Sequence, residues 1–143
     1  MKVKEIMTSE AIMIRADLRL TEAAQKMREH EVGALPVIDG DNLVGMITDR
    51  DIIVWAIAEE KDPGETYVSE IMTPEVFYCR GDDEIGEAAK IMEEKSIHRL
   101  MVLDEEDKPV GFVSLADFAV KSHDEHLTGE LLHRISEPAR PHW

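Results

Sequence analysis

Two short segments of the chain carry a hydroxyl side chain followed three residues later by a carboxylate. Thr48 precedes Asp51, and Ser114 precedes Asp117. A hydroxyl and an acid at this spacing form a capping box, which satisfies backbone amides at the start of a helix. The same groups could instead bind a ligand, since a helix N-terminus attracts a phosphate and a carboxylate accepts hydrogen bonds from two ribose hydroxyls. The sequence leaves both interpretations open.

Apolar patterning predicts the elements that position these two segments. Apolar residues at positions 20, 23, 24 and 27, and again at 85, 88, 89 and 92, have the spacing of an amphipathic helix. Further helices are predicted over residues 49–59 and 115–124. Strands are predicted over residues 12–14, 35–38, 43–47, 77–79, 99–103 and 110–113. Each hydroxyl–acid pair therefore follows a strand and begins a helix.

The chain contains an internal repeat. Val-Lys-Glu-Ile-Met-Thr, which begins at Val3, returns as Val-Ser-Glu-Ile-Met-Thr at Val68, and Glu-Ala-Ala at 22–24 returns at 87–89. Each copy is short for a core of its own, so we expect the two to pack on each other as one pseudo-twofold unit. The predicted division is a first motif at 1–62, a linker at 63–67, a second motif at 68–125 and a partly helical tail at 126–143.

The composition excludes several classes of protein. The 143 residues include 16 basic and 31 acidic side chains, for a net charge of -15, which disfavours binding to nucleic acid. Hydrophobic residues make up 43% and aromatic residues only 5%, so a core must be largely aliphatic. Cys79 has no cysteine partner, which fits a reducing cytosol. No apolar run approaches the roughly 20 residues of a membrane span.

The repeated motifs resemble a CBS domain present twice. The first copy has Ile-Met-Thr, a helix with Glu-Ala-Ala, Leu-Pro-Val-Ile-Asp and Gly-Met-Ile-Thr-Asp-Arg-Asp; the second has Ile-Met-Thr-Pro, His-Arg-Leu-Met-Val and Gly-Phe-Val-Ser-Leu-Ala-Asp. The resemblance covers residues 3–125. It implies an α+β fold of two pseudo-twofold-related β-α-β-β-α motifs packed as one module. It also implies a stand-alone CBS pair with no attached catalytic domain.

This resemblance implies a regulatory module rather than an enzyme, and no catalytic motif in the sequence indicates otherwise. Members of the family bind adenosine-containing nucleotides in clefts between the two motifs, so AMP, ADP or ATP is the expected ligand, with S-adenosylmethionine or NAD as further candidates. No obligatory cofactor is expected. The bound state would be transmitted to an unknown partner protein in the cytoplasm. The alternative is a dimerising interaction module with degenerate clefts that bind nothing.

The resemblance also assigns ligand-binding residues. The family pattern Gly-h-x-Thr/Ser-x-x-Asp, where h is hydrophobic, gives the ribose and phosphate role to Thr48 and Asp51 in one copy and to Ser114 and Asp117 in the other. The segments that help to form the adenine slot in the family correspond here to four further residues. These are Thr8, Ile12, Thr73 and Phe77.

Cations near the two motifs differ between the copies. His98 and Arg99 stand where the family often has a basic pair on phosphates, whereas the first copy has Gly33 and Ala34 there. Arg50, in the first turn of the predicted helix, could substitute or be an exposed surface residue. We therefore expect the two clefts to be unequal in their affinity for a phosphorylated ligand.

The remaining features concern assembly and the tail. In the family, the helix after the hairpin often forms the dimer face, which predicts a homodimer through Val54, Trp55, Ile57 and Phe118. A stripe of Leu127, Leu131, Leu132 and Ile135 could dock on its own module, pack across a dimer or contact a target. The tail histidines could bind a metal or form a solvated polar segment, and no metal site is predicted. These histidines are His123, His126, His133 and His142.

Overall fold

The computed structural model describes residues 1–9 and 12–136 and has the predicted mixed α+β fold. The described part contains six strands, seven α-helices and one π-helical segment. In chain order they are α1 (Val3–Ile6), β1 (Ile14–Arg15), α2 (Leu20–His30), β2 (Ala34–Asp39), β3 (Asn42–Thr48), α3 (Asp49–Ile52), the π-helical segment (Ile53–Ile57), α4 (Val68–Ile71), β4 (Tyr78–Arg80), α5 (Ile85–Lys95), β5 (Arg99–Leu103), β6 (Pro109–Ser114), α6 (Leu115–Lys121) and α7 (Glu125–Ser136).

The contacts divide the chain into two compact units. The first unit, Ala11–Val76, contains the sheet β1-β2-β3, in which β1 is parallel and β3 antiparallel to β2. Its core is aliphatic, as the composition predicts, and α2 contributes Leu20, Ala23 and Met27 to it at the predicted helical spacing. The other buried members are Ile14, Leu35, Val37, Ile47, Ile52, Ala56, Val68 and Ile71.

The second unit joins the described part of Met1–Glu10 to that of Phe77–Trp143. Its sheet, β4-β5-β6, repeats the topology of the first, with β4 parallel and β6 antiparallel to β5. The helix α5 contributes Ile85, Ala88, Ala89 and Met92 to the core. The other buried members are Val3, Ile6, Cys79, Leu100, Val102, Val113, Phe118, Leu131 and Ile135.

The two Ile-Met-Thr segments are exchanged between the two sequence repeats. The backbone of Thr8 forms two hydrogen bonds with Phe112 on β6, of 2.8 and 3.0 Å. Thr73 makes the same exchange with Met46 on β3, at 2.8 and 2.9 Å. The contacts therefore group the chain differently from the linear repeat, because each Ile-Met-Thr segment belongs to the unit that holds the other copy's hairpin.

Several predicted boundaries are wrong by a few residues. The strands predicted over 12–14 and 77–79 are observed at Ile14–Arg15 and Tyr78–Arg80. The helix predicted over 49–59 is α-helical only to Ile52 and continues as a π-helical segment, and the one predicted to reach 124 ends at Lys121. The short helices α1 and α4 are absent from the sequence-based assignment, because four residues are too few to show a helical period.

The tail helix α7 docks on its own unit, against α5 and α6. Leu131 and Ile135 are buried in the core of the second unit, whereas Leu132 is half exposed. The placement of Phe118 on a dimer face is wrong, because its side chain is completely buried in that same core. His142 lies outside the described residues.

Among the described residues, no helix is both long and apolar enough to cross a membrane.

Replacing Gly111 by alanine should destabilise the second unit. A Cβ at this position would overlap the carbonyl oxygen of Thr8, a backbone atom held by its pairing with Phe112. We expect a loss of about 2–3 kcal/mol in the free energy of unfolding, measured by urea denaturation. The matched control is Gly86→Ala on α5, where an added Cβ meets nothing within 4 Å. This control should gain up to about 1 kcal/mol, since alanine is the better helix former.

Equal stability of the Gly111→Ala and Gly86→Ala proteins would contradict the close approach of Thr8 to β6. A shift confined to the denaturant slope, with the free energy of unfolding unchanged, would contradict it as well.

Candidate functional site

The first hydroxyl–acid pair, Thr48 and Asp51, forms a complete capping box at the start of α3. The amide of Asp51 donates to Thr48 Oγ1 at 3.0 Å, and the amide of Thr48 donates to Asp51 Oδ2 at 3.0 Å. We call this pair the first cap. Within residues 1–9 and 12–136, the Thr48 amide is the only donor recorded on the Asp51 carboxylate. The oxygen Oδ1 of the half-buried Asp51 therefore remains open to a ligand.

The second pair, Ser114 and Asp117, forms the same capping box at the start of α6. The amide of Asp117 donates to Ser114 Oγ at 3.2 Å, and the amide of Ser114 donates to Asp117 Oδ2 at 2.9 Å. We call this pair the second cap. The structure thus confirms the capping role of both pairs, which the sequence proposed as one of two interpretations.

The carboxylate of Asp117 has further partners that Asp51 lacks. Thr8 Oγ1 donates to its Oδ1 at 3.2 Å, and Lys121 Nζ lies 3.1 Å from the same oxygen. Asp117 is only 6% exposed. Because burial of an unpaired carboxylate is costly, the Thr8 hydroxyl and the Lys121 ammonium provide the partners that this buried side chain requires. The second cap is therefore closed by its own chain, whereas the first is open.

The cations predicted near the second motif lie beside the second cap. Arg99 on β5 pairs in register with Ser114 on β6, and the amide of Leu115 donates to the carbonyl of His98 at 3.1 Å. His98 and Arg99 are exposed. The Arg99 guanidinium stacks over the Phe112 ring, 4.5 Å from its centroid. A cation–π contact holds this side chain over β6, near the second cap.

The equivalent positions at the first cap are uncharged or acidic. Ala34 pairs in register with Thr48, and the amide of Asp49 donates to the carbonyl of Gly33 at 2.9 Å. Asp49 Oδ1 also accepts a hydrogen bond from the Arg50 amide at 2.8 Å, which places a second carboxylate at the first cap. Arg50 is exposed and is the only cation in this first turn. The two caps therefore share a hydroxyl–acid geometry and differ in charge.

The four residues predicted to contact adenine fall in different units. Thr8 and Phe77 belong to the second unit, and Ile12 and Thr73 to the first. Thr8 is beside Asp117, as described above, and the half-buried Phe77 packs on the second core with Lys95 Nζ 4.9 Å from its ring. Ile12 packs against the first core. Thr73 is exposed and is held through its backbone to Met46.

Other reactive side chains do not form a further site in the described structure. Cys79 is buried on β4, and burial raises the pKa of its thiol to about 12, so that the thiol stays protonated. Among the described residues, no group of three or more His, Cys, Asp or Glu side chains is arranged to hold a metal ion.

Lys121 is the residue at this site that the sequence analysis missed. It follows Asp117 by one helical turn, and an acid followed at i+4 by a lysine is a recognisable pairing signal. The contact of Thr8 with Asp117 carries no such local signal, because the two residues are 109 positions apart.

The chain is similar in sequence and in fold to known proteins. The chain is 36% identical to the CBS domain-containing protein YhcV of Bacillus subtilis over 134 residues, which cover 94% of each protein. A solved structure of Hypoxic Response Protein I with two coordinated zinc ions is 37% identical, with a TM-score of 0.75, covering 83% of this chain and 97% of that one.

A third similar protein was solved with ligands. The CBS domain pair of protein MJ0100, in complex with 5′-methylthioadenosine and S-adenosyl-L-methionine, is 30% identical with a TM-score of 0.72, covering 83% of this chain and 93% of that one. The family model for the CBS domain matches twice, at residues 3–57 and 68–124. Repeat, fold and motif agree with these matches, and the chain belongs to the CBS domain family.

Proposed function

We propose that this protein is a non-catalytic regulatory module that binds adenosine-containing nucleotides at its two caps and transmits the bound state to a partner protein. The observation that carries the proposal is the hydroxyl–carboxylate pair that both copies retain at the same position. The similar CBS pair of MJ0100, which was solved with two adenosine ligands, supports the same ligand class. The ligand candidates are AMP, ADP and ATP, followed by S-adenosylmethionine and NAD.

The chemistry of the caps suits a ribose. An ionised carboxylate accepts hydrogen bonds from two adjacent hydroxyls, and Asp51 Oδ1 is open to them. Thr48 and Ser114 supply hydroxyls next to each acid. We assign the adenine contacts to the apolar and backbone groups around Thr8, Ile12, Thr73 and Phe77.

Phosphate binding is assigned to the second cap. A chain with a net charge of -15 repels an anionic ligand unless cations lie close to the binding groups. Arg99 provides such a cation beside Ser114, and Arg50 is the only basic residue in the first turn of α3. The second cap therefore suits a phosphorylated nucleotide better than the first.

For the module to act as a sensor, its ligand must bind one state more tightly than another. The partner would then respond to the population of that state. A dimerising module with degenerate caps is the less favoured function, because both hydroxyl–acid pairs are retained with their capping geometry. We place the protein in the cytoplasm, in keeping with its buried, unpaired Cys79.

Adenosine nucleotides should stabilise the folded protein. A ligand that binds only the native state raises the melting temperature as its concentration increases. We expect a concentration-dependent rise with at least one of AMP, ADP, ATP, S-adenosylmethionine and NAD in a thermal-shift assay. Removing both acids, with Asp51→Asn and Asp117→Asn, should abolish it, whereas Asp41→Asn in the exposed β2–β3 turn is the matched control and should not. Failure of all five ligands to shift the wild-type protein would overturn the proposal.

Arg99 should contribute to binding through the phosphate. The Arg99→Met variant keeps an unbranched stem over the Phe112 ring but removes the charge. We expect its affinity for AMP to fall about tenfold in calorimetry while its affinity for adenosine changes little. Arg28→Met on α2 is the control for loss of one exposed positive charge in the first unit. An equal loss of AMP affinity in Arg28→Met would assign the effect to net charge rather than to Arg99.

We also propose that the protein forms a homodimer through the apolar residues that follow the first cap. Ile53, Trp55 and Ile57 are 61%, 56% and 53% exposed in the π-helical segment, an unusual exposure of large apolar side chains. Val54 is half buried beside them. Phe118, which the sequence added to this face, is excluded by its burial.

Introducing a charge at Trp55 should shift the protein to the monomer. Trp55→Glu removes the largest exposed aromatic side chain of the segment and adds repulsion between two acidic chains. We expect sedimentation velocity to give a dimer for the wild type and a monomer for the variant. Tyr78→Glu, which changes an exposed aromatic residue in the second unit, should remain dimeric. A wild-type protein that sediments as a monomer at micromolar concentration would contradict the assignment.

A further inference from the structure

We propose that Thr8 and Lys121 form a clamp on the Asp117 carboxylate and so determine which adenosine ligands the second cap accepts. The inference rests on the proposed function, since it concerns ligand choice at a cap that binds adenosine. Its consequence is that unphosphorylated adenosine binds at the first cap alone, whereas the second cap requires a phosphate on the ligand.

The clamp acts chiefly on one of the two Asp117 carboxylate oxygens, Oδ1. Asp117 Oδ2 is engaged by the capping box of Ser114, which supports α6, and Oδ1 is the oxygen left for a ligand. Oδ1 already accepts from the Thr8 hydroxyl at 3.2 Å, a hydroxyl that also lies 3.4 Å from Oδ2, and Oδ1 faces the Lys121 ammonium at 3.1 Å. A ribose diol can use Oδ1 only by displacing these groups.

The first copy provides an internal comparison in which the clamp is missing. Trp55 occupies the position that corresponds to Lys121, and it carries no charge to pair with Asp51. Thr73 corresponds to Thr8, yet the structure records no hydrogen bond from its side chain to Asp51. The two caps thus have the same backbone geometry. Within the described residues, they differ at the carboxylate oxygen Oδ1, which has side-chain partners in Asp117 but not in Asp51.

Displacing the clamp has an energetic cost that the first cap avoids. The Asp117 side chain is only 8% exposed, so displacing Lys121 would leave a buried carboxylate without its counter-charge, which is costly. Neutral ribose hydroxyls replace a full charge poorly, because hydrogen bonds to a carboxylate are weaker without an opposite charge. A phosphate supplies additional attraction through Arg99 and thereby offsets that cost.

The test measures adenosine binding in a background in which the first cap is disabled. The wild-type chain should bind one equivalent of adenosine in calorimetry, and Asp51→Asn should abolish this. Adding Lys121→Met to Asp51→Asn should restore adenosine binding with an affinity at least tenfold above that of Asp51→Asn alone. Thr8→Val in the same background, which removes only the hydroxyl, should act in the same direction with a smaller gain.

The control variant is Lys108→Met, also in the Asp51→Asn background. Lys108 pairs with Glu106 in the β5–β6 turn. Its replacement by methionine removes one positive charge from the second unit, as Lys121→Met does. A gain from Lys108→Met equal to that from Lys121→Met would overturn the clamp, because net charge would then explain both. The clamp would also be overturned if AMP bound normally while neither Lys121→Met nor Thr8→Val restored adenosine binding. If the wild type bound neither adenosine nor any of AMP, ADP, ATP, S-adenosylmethionine and NAD, the proposed function itself would be overturned instead.

Discussion

The backbone pairing of Thr8 with Phe112 is the constraint on which the rest of the site depends. Its two hydrogen bonds attach the amino-terminal segment to β6 and bring the Thr8 hydroxyl to the carboxylate of Asp117. The approach is close enough that Gly111 must have no side chain, and Gly45 meets the carbonyl of Thr73 in the same way in the first unit. A glycine on β6 and another on β3 thus permit the close approach of the two Ile-Met-Thr segments.

The capping box and the ligand-binding interpretation involve different oxygens of the same carboxylate. In both copies, Oδ2 accepts the amide of the capping hydroxyl residue, at 3.0 Å for Asp51 and 2.9 Å for Asp117. The surroundings of Oδ1 can therefore differ between the copies without breaking the capping hydrogen bonds at the start of each helix. The two interpretations that the sequence leaves open are therefore compatible, since a cap fixes the acid in the orientation that a ligand needs.

The features that could be predicted from the sequence are those with a local period. Amphipathic spacing predicted α2 and α5, and the hydroxyl–acid spacing predicted both capping boxes, because each pattern depends on residues within two turns of one another. The exchange of the Ile-Met-Thr segments could not be derived in this way, since it joins Thr8 to residues more than a hundred positions later. The burial of Phe118 was missed for a similar reason: it depends on the second core, to which the later helix α7 also contributes.

Divergence between the two copies concentrates at positions that leave the fold unchanged. The differences lie at exposed or half-exposed positions around the same capping box. The first copy has Gly33, Ala34 and Trp55 where the second copy has His98, Arg99 and Lys121. At the second cap Lys121 balances the charge of Asp117 and the basic pair adds to it, whereas at the first cap Asp49 adds a second negative charge. The local charge and the occupancy of Oδ1 therefore both favour a phosphorylated ligand at the second cap over an uncharged one. In a chain with a net charge of -15, they make the second cap better suited than the first to an anionic group.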